Sequence, residues 1–103
     1  MDINTADNRG STPLHWACYS KAEFALSYIL AMQPELEMVD QNGLTPLHLA
    51  VRAVPELQST RTVRSLLLKG SSRNAVTTAG QTPIEMIKAT WEPGLKTELN
   101  GML

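Results

Sequence analysis

The chain has 103 residues, 43% of them hydrophobic and 18% charged, with a formal net charge of −1. This size and composition fit one soluble domain, and the balanced charge gives no reason to expect nucleic acid or an anionic membrane surface as a partner. A single cysteine excludes an intramolecular disulfide and favours a reducing compartment, and no run of 18 apolar residues predicts a membrane span.

The first two predicted elements are helices. One begins near Thr12, since a threonine side chain can cap a helix start and Pro13 fits the first turn, where its missing N–H needs no partner. The other covers about residues 22–32 and is apolar almost all round. A helix of that kind is usually covered on both sides.

The same pattern returns 33 residues later, after a tight turn predicted at Asn42-Gly43. A helix is expected near Thr45, and Pro55 is expected to end it. Four extra residues fall within 52–61, which we interpret as a longer loop between helices, with Ser59 or Thr60 capping the next one. That helix spans about residues 61–69 and ends at Gly70 in the left-handed conformation.

A third, degenerate copy starts 37 residues further on, at Thr82. We expect a helix to begin there too, although Glu85 replaces the histidine of the other copies. A short last helix is predicted within 92–103, where Leu95, Leu99 and Met102 form one apolar stripe.

These three copies, each two residues after a glycine (Gly10, Gly43 and Gly80), resemble the ankyrin repeat with its 33-residue period and T-P-L-H-x-A signature. The resemblance implies an all-α ankyrin-repeat solenoid of stacked helix-turn-helix units with short β-turn or hairpin connections. It divides the chain into the tail of a preceding repeat (1–6), a first unit (7–39), a second unit with a four-residue insertion (40–76) and a C-terminal capping unit (77–103). It also implies that the motif residues are structural, with the histidines bonding backbone groups of their own and the neighbouring turn: Thr12, Pro13, His15, Thr45, Pro46, His48, Thr82 and Pro83.

The N-terminal residues do not resemble the start of an array. Residues 2–4, Asp-Ile-Asn, match the tail of a preceding repeat. We therefore expect either a longer array or self-association through an uncapped N-terminal end.

His15 and Cys18 are three residues apart, which raises the question of a metal site or a nucleophile with its base. A zinc site needs about four ligands, whereas the chain has two histidines and one cysteine. The resemblance places Cys18 where the family has a small alanine in the packed interface, so we expect a buried structural thiol. The glycines do not form a phosphate-binding loop. We thus predict no catalytic residue, no metal and no cofactor.

The resemblance implies that turn tips and outer residues of the first helices line a concave groove. Trp, Tyr and Arg are the residue types that most often anchor interfaces. Trp16 could instead be a packing residue that contacts the helix of the neighbouring repeat, without a role in binding a partner. The residues matching the variable groove positions are Arg9, Ser11, Trp16, Tyr19, Gln41, Asn42, Leu44, Leu49, Arg52, Gln81 and Met86.

The expected function is a non-enzymatic protein–protein interaction module in the cytoplasm, with a protein or peptide in the groove and no nucleic acid or membrane contact. A second resemblance leaves an alternative open. The extended loop before the second helix, the stretch 64–70 and the degenerate end "TPIEMI" are similar to ankyrin segments of DHHC-type protein S-acyltransferases. The chain would then recruit substrates at the cytosolic face of a membrane. A purely structural spacer is a third possibility.

Overall fold

The computed structural model describes residues 3–19 and 23–103. These described residues contain five α-helices, α1 (Pro13–Tyr19), α2 (Glu23–Ala31), α3 (Pro46–Leu57), α4 (Arg61–Lys69) and α5 (Pro93–Met102), and one 3₁₀ helix, Pro83–Met86. The described residues form turns but no β-strand. The predicted all-α solenoid is confirmed, although the start of the second helix, expected at about residue 22, lies outside the described residues.

The helices pair within the first and second units and stack between units. α1 packs on α2 and on α3, α3 packs on α4 and on the 3₁₀ helix, and α2 contacts α4. The core follows this stack, because each helix turns one apolar stripe inwards. Its fully buried side chains include Leu14, Leu47, Val51, Val63 and Leu66.

α2 is apolar on both sides but buries only one of them against described residues. Leu26 and Leu30 are buried, whereas Phe24 is 94% and Tyr28 71% exposed. The two aromatic residues are four apart and therefore share a face of the helix.

The prediction that Pro55 ends the third helix was wrong. Pro55 lies inside α3, which runs on to Leu57 and ends with Gln58 in the left-handed conformation (φ 52°). Proline removes one N–H bond to the preceding turn and its ring crowds the carbonyl four residues earlier. Beyond it, however, the amide of Gln58 still bonds the carbonyl oxygen of Val54 at 2.8 Å. The inserted residues therefore lengthen a helix more than they lengthen a loop.

The capping of α4 also differs from the expectation for Ser59 and Thr60. Thr60 occupies the N-cap position, but its hydroxyl donates to the carboxylate of Glu98 at 2.8 Å. The Ser59 hydroxyl accepts from the amide of Arg61 at 3.2 Å. α4 ends as predicted, with Gly70 left-handed at φ 106°.

The third unit lacks the α-helix expected from Thr82. Only the 3₁₀ helix forms, and Ile87 ends it in an extended conformation. Ile87 stands where the first two units have the buried Ala17 and Ala50. Alanine at this position allows close helix packing, whereas the larger, β-branched Ile87 is only partly buried against the core.

Candidate partner-binding cleft

Two aspartates build the turns that precede α1 and α3. One carboxylate oxygen of Asp7 accepts from the amides of Arg9 and Ser11, both at 2.9 Å. Asp40 does the same for the amides of Asn42 and Leu44, at 2.9 and 3.0 Å. Short carboxylates commonly close turns in this way, by bonding their own backbone a few residues on.

The turn at Gly43 differs in one detail from the predicted Asn42-Gly43 hairpin pair. The amide of Gly43 bonds the carbonyl oxygen of Asp40 at 2.9 Å, so Gln41 and Asn42 are the central residues of the turn. Gly43 follows them with φ +76°. Neighbouring turns are joined directly, because the amide of Gln41 bonds the carbonyl oxygen of Arg9 at 2.8 Å.

The motif histidines fix the helix starts and connect the units. His15 Nδ1 lies 3.1 Å from the amide nitrogen of Thr12, and its Nε2 lies 3.0 Å from the carbonyl oxygen of Leu44. An amide only donates and a carbonyl only accepts, so the hydrogen-bond network assigns the ring proton to Nε2. His48 repeats the arrangement with Thr45 and with the carbonyl oxygen of Gln81, again at 3.0 Å.

Glu85 takes over the local part of this role in the third unit. Its carboxylate accepts from the amide of Thr82 at 2.9 Å and from the Thr82 hydroxyl at 2.8 Å. These bonds, the backbone one first, lower the pKa of Glu85. A carboxylate has no N–H with which to reach a further carbonyl, so Glu85 holds its own turn only.

The turns and the first helices of two units enclose a cleft of about 230 Å³. This is below the usual size of small-molecule sites, about 300–1,000 Å³, and suits one large side chain or two small ones. The residues lining the cleft are Arg9, Ser11, His15, Trp16, Asp40, Gln41, Asn42, Leu44, Leu49 and Arg52.

Trp16 is the exposed aromatic residue of this cleft. Its side chain is 55% exposed, while Leu44 and Leu49 beside it are buried. The indole N–H donates to the second carboxylate oxygen of Asp7 at 3.1 Å. The ring therefore presents a large apolar surface in an orientation that the turn fixes.

Asp7 keeps its charge under ordinary conditions. Hydrogen bonds from the backbone amides of Ser11 and Arg9 lower the pKa of its carboxyl group, and the Trp16 indole and the Arg9 charge act in the same direction. At the cleft itself, Arg9 and Arg52 are exposed cations and Asp40 is a half-buried carboxylate.

Of the ten predicted groove residues whose side chains the structure describes, eight line this one cleft, the exceptions being Gln81 and Met86. Gln81 and Met86 lie in the third unit, away from the lining, and the side chain of Tyr19 lies outside the described part of the structure. Sequence reasoning missed Asp40 as a lining residue and Asp7 as the partner of Trp16. The spacing marks both aspartates as turn residues, three positions before the turn glycine, but it does not show which side chains lie beside them.

The remaining reactive group is poorly suited to chemistry. Cys18 is fully buried in the core, and burial raises the pKa of its thiol to about 12. A reactive cysteine instead needs a lowered pKa and access to solvent. Within residues 3–19 and 23–103, no group of His, Cys, Asp and Glu is arranged to hold a metal ion. None of the described helices is both long and apolar enough to cross a membrane.

Comparison with known proteins agrees with the repeated pattern of turns and helices. A family model described as ankyrin repeats (3 copies) matches residues 1–77. A Rickettsia conorii ankyrin repeat protein is 42% identical over 48 residues, which cover 45% of this chain and 69% of that protein.

Two longer proteins are similar over short segments. The human SMC5-SMC6 complex localization factor protein 1 is 45% identical over 49 residues, 47% of this chain. The ankyrin repeat-containing protein kinase A of Dictyostelium discoideum is 32% identical over 71 residues, 67% of this chain. The matched segment spans only 5% of each of these two proteins.

Proposed function

Since this chain belongs to the ankyrin repeat family, whose repeats are protein–protein interaction modules, we propose that the cleft lined by Trp16 binds a peptide or protein surface. The observation that carries the proposal is that Trp16 is both exposed and held in one orientation. A tryptophan that is 55% exposed, yet held by a hydrogen bond to Asp7, offers contact area at little cost in side-chain entropy.

The architecture around Trp16 supports a rigid recognition surface. The two turns that flank the cleft are closed by aspartates and joined to each other through Arg9 and Gln41. His15 adds a buried bond between the units. A partner would therefore meet a preorganised surface, which lowers the entropy cost of binding.

Affinity capture from the cells of origin tests this function. The full chain, the Trp16→Ala variant and the Tyr28→Ala variant serve as baits. Tyr28 is a matched control, because it is an exposed aromatic residue of α2 that does not line the cleft. We expect a direct partner to be retained by the chain and by Tyr28→Ala and lost with Trp16→Ala, when all three show the same thermal unfolding. Equal retention by all three baits would contradict the proposal.

The chain is also a candidate recruiting segment of a larger enzyme. The Dictyostelium relative, named a protein kinase, is matched over only 5% of its length. The S-acyltransferase version of this idea stays a prediction. The coding sequence on either side of these 103 residues tests it, since hydrophobic spans with a DHHC segment must then be found there.

Two further predictions accompany the proposal. The buried thiol of Cys18 suits a cytosolic location, which fractionation of the source cells can test. Self-association through the N-terminal end would use the exposed Phe24 of α2. Sedimentation of the chain and of a Phe24→Ser variant at rising concentrations tests it.

A further inference from the structure

We infer that the cleft binds an uncharged segment of a partner protein through one bulky apolar side chain, of the size of Leu, Met or Phe, and that charge contributes little to the affinity. The inference rests on the proposed function and names the chemistry of the bound partner. Three properties of the cleft carry it: its apolar surface, its size and the internal balance of its charges.

The apolar surface of the cleft comes from both units. Trp16 and Leu49 are equivalent residues of the first and second units, 33 positions apart, and they line the cleft together with Leu44. Leu49 is 4% and Leu44 6% exposed, whereas Trp16 is 55% exposed. The indole therefore supplies most of the apolar area that a partner can cover, and covering it removes that area from water.

The size of the cleft suits one side chain of a protein segment. Its volume of about 230 Å³ is below the usual size of small-molecule sites, about 300–1,000 Å³. Gln41 and Asn42 are exposed residues of the lining, and a side-chain amide can both donate and accept hydrogen bonds. Such groups can bond the backbone of a segment whose side chain fills the cleft, whatever the sequence around that side chain.

The charged groups at the cleft already interact within the chain. One oxygen of Asp7 accepts two backbone amides and the other accepts the Trp16 indole, while the charge of Arg9 acts on the same carboxylate. Asp40 is half-buried and accepts two backbone amides. Arg52 also has an interaction within the chain.

The formal charges of these two arginines and two aspartates balance. A charged group of a partner would lose hydration in the cleft and find no unengaged counter-charge among these four residues. An uncharged apolar side chain avoids this cost and covers the exposed indole. The cleft therefore favours a neutral segment over an acidic or a basic one.

Selection from a random twelve-residue peptide library on the immobilised full chain tests the inference. We expect the enriched peptides to share one bulky apolar residue, to show no excess of Asp, Glu, Lys or Arg around it, and to lose binding with Trp16→Ala. Replacing the shared residue by Ala in the best synthetic peptide should raise its dissociation constant by about tenfold or more, since several buried carbon atoms are lost. The dissociation constant should change by less than about twofold between about 0.05 and 0.5 M NaCl. The peptide substitutions and the salt series do not depend on the folding of any variant.

A change in the size of the cleft supplies the specific control. Ser11 lines the cleft, so Ser11→Leu should narrow it. This variant should weaken the best peptide by about tenfold and its Ala version by clearly less, because crowding acts on the larger side chain. Ser27→Leu is the matched control, because Ser27 is exposed on α2 and does not line the cleft. It should change the affinity by less than about twofold, as a surface substitution away from the site.

The outcomes separate the two levels of the argument. Peptides that need Trp16 but also require a charged residue, that weaken strongly with salt, or that tolerate Ser11→Leu overturn the inference and leave the proposed function standing. A library that yields no peptide dependent on Trp16 overturns both. Binding that follows Trp16, Ser11 and the bulky apolar residue, but not salt or Ser27, supports both.

Discussion

The imidazole of His15 lies 3.0 Å from the carbonyl oxygen of Leu44, so a buried hydrogen bond spans the boundary between the first and second units. His48 lies at the same distance from the carbonyl oxygen of Gln81 in the third unit. Both rings are almost completely buried, at 1% and 0% exposure. Solenoid stability depends strongly on the interfaces between neighbouring units, and each of these bonds joins one such pair.

Replacing either histidine by alanine should destabilise the chain. His48→Ala leaves the buried amide of Thr45 without this partner, and an unsatisfied buried group costs about 1–3 kcal/mol. It also removes the bond to the carbonyl of Gln81, which keeps the amide of Thr77 as a donor. We expect a loss of that order in the free energy of unfolding, and a similar loss for His15→Ala, measured by urea denaturation. Lys88→Ala, at an exposed position, should be nearly neutral. A neutral effect of both histidine variants would show that these bonds do not stabilise the stack.

Local residue chemistry allowed the helix starts to be predicted from the sequence. Thr12-Pro13 and Thr45-Pro46 begin helices because capping and the first turn depend on residues close together in the chain, the threonine, the proline and the histidine that follows. The end of α4 at Gly70 is predictable for the same reason.

Features that depend on tertiary packing were not predictable in this way. Pro55 is typical of a helix end, but α3 continues past it to Leu57, with backbone bonding re-established at Gln58. The 3₁₀ helix of the third unit ends at Ile87, at the position where Ala17 and Ala50 are packed inside α1 and α3. Likewise, the contact between Trp16 and Asp7 requires the turn to fold back beside α1, which residue spacing does not reveal.

Two glycines with the same backbone conformation should respond differently to alanine. Gly43 has φ +76° and Gly80 φ +79°, so both substitutions carry the strain of a left-handed alanine, about 1 kcal/mol. A Cβ at Gly43 would lie 2.7 Å from the amide nitrogen of Thr78, whereas at Gly80 no atom lies within 4 Å. Gly43→Ala should therefore lower the free energy of unfolding by clearly more than Gly80→Ala.

Chemical denaturation of the two glycine variants under identical conditions measures this difference. Gly43→Ala should also disturb the bond from the Thr78 hydroxyl to the carbonyl oxygen of Asn42, 2.9 Å long, which joins adjacent turns. Equal losses for the two variants would mean that the turns are not held in close contact at this point.

Asp7→Asn should release the ring of Trp16 while leaving the turn closed. An asparagine oxygen can still accept from the amides of Arg9 and Ser11, but its NH₂ group would face the indole N–H, and two donors cannot bond each other. We expect stronger acrylamide quenching of Trp16 fluorescence. The measurement uses a Trp91→Phe background, so that Trp16 is the sole source of tryptophan fluorescence. Thermal unfolding should change little, because Asp7 and Trp16 are exposed. Unchanged quenching would show that the hydrogen bond does not orient the ring.

The buried thiol predicts a loss of stability at alkaline pH. The pKa of Cys18 is about 12 in the folded chain against an ordinary value of 9.0, because burial disfavours the thiolate. The stability that the protonated, buried thiol contributes is therefore fully present below pH 9. It is lost as the pH rises from 9 towards 12, because in that range the unfolded chain releases the proton and the folded chain does not. At pH 10 the loss amounts to roughly 1 kcal/mol.

Cys18→Ala isolates this effect, since every other titrating group is shared with the unsubstituted chain. The difference in unfolding free energy between pH 8 and pH 10 should be smaller for Cys18→Ala by that same amount. In parallel, iodoacetamide should modify the folded chain at pH 8 far more slowly than the urea-unfolded chain. In the folded core the reagent cannot reach Cys18, and the thiol is not ionised. Identical pH dependence of the two proteins, or equal alkylation rates folded and unfolded, would contradict a buried, protonated Cys18.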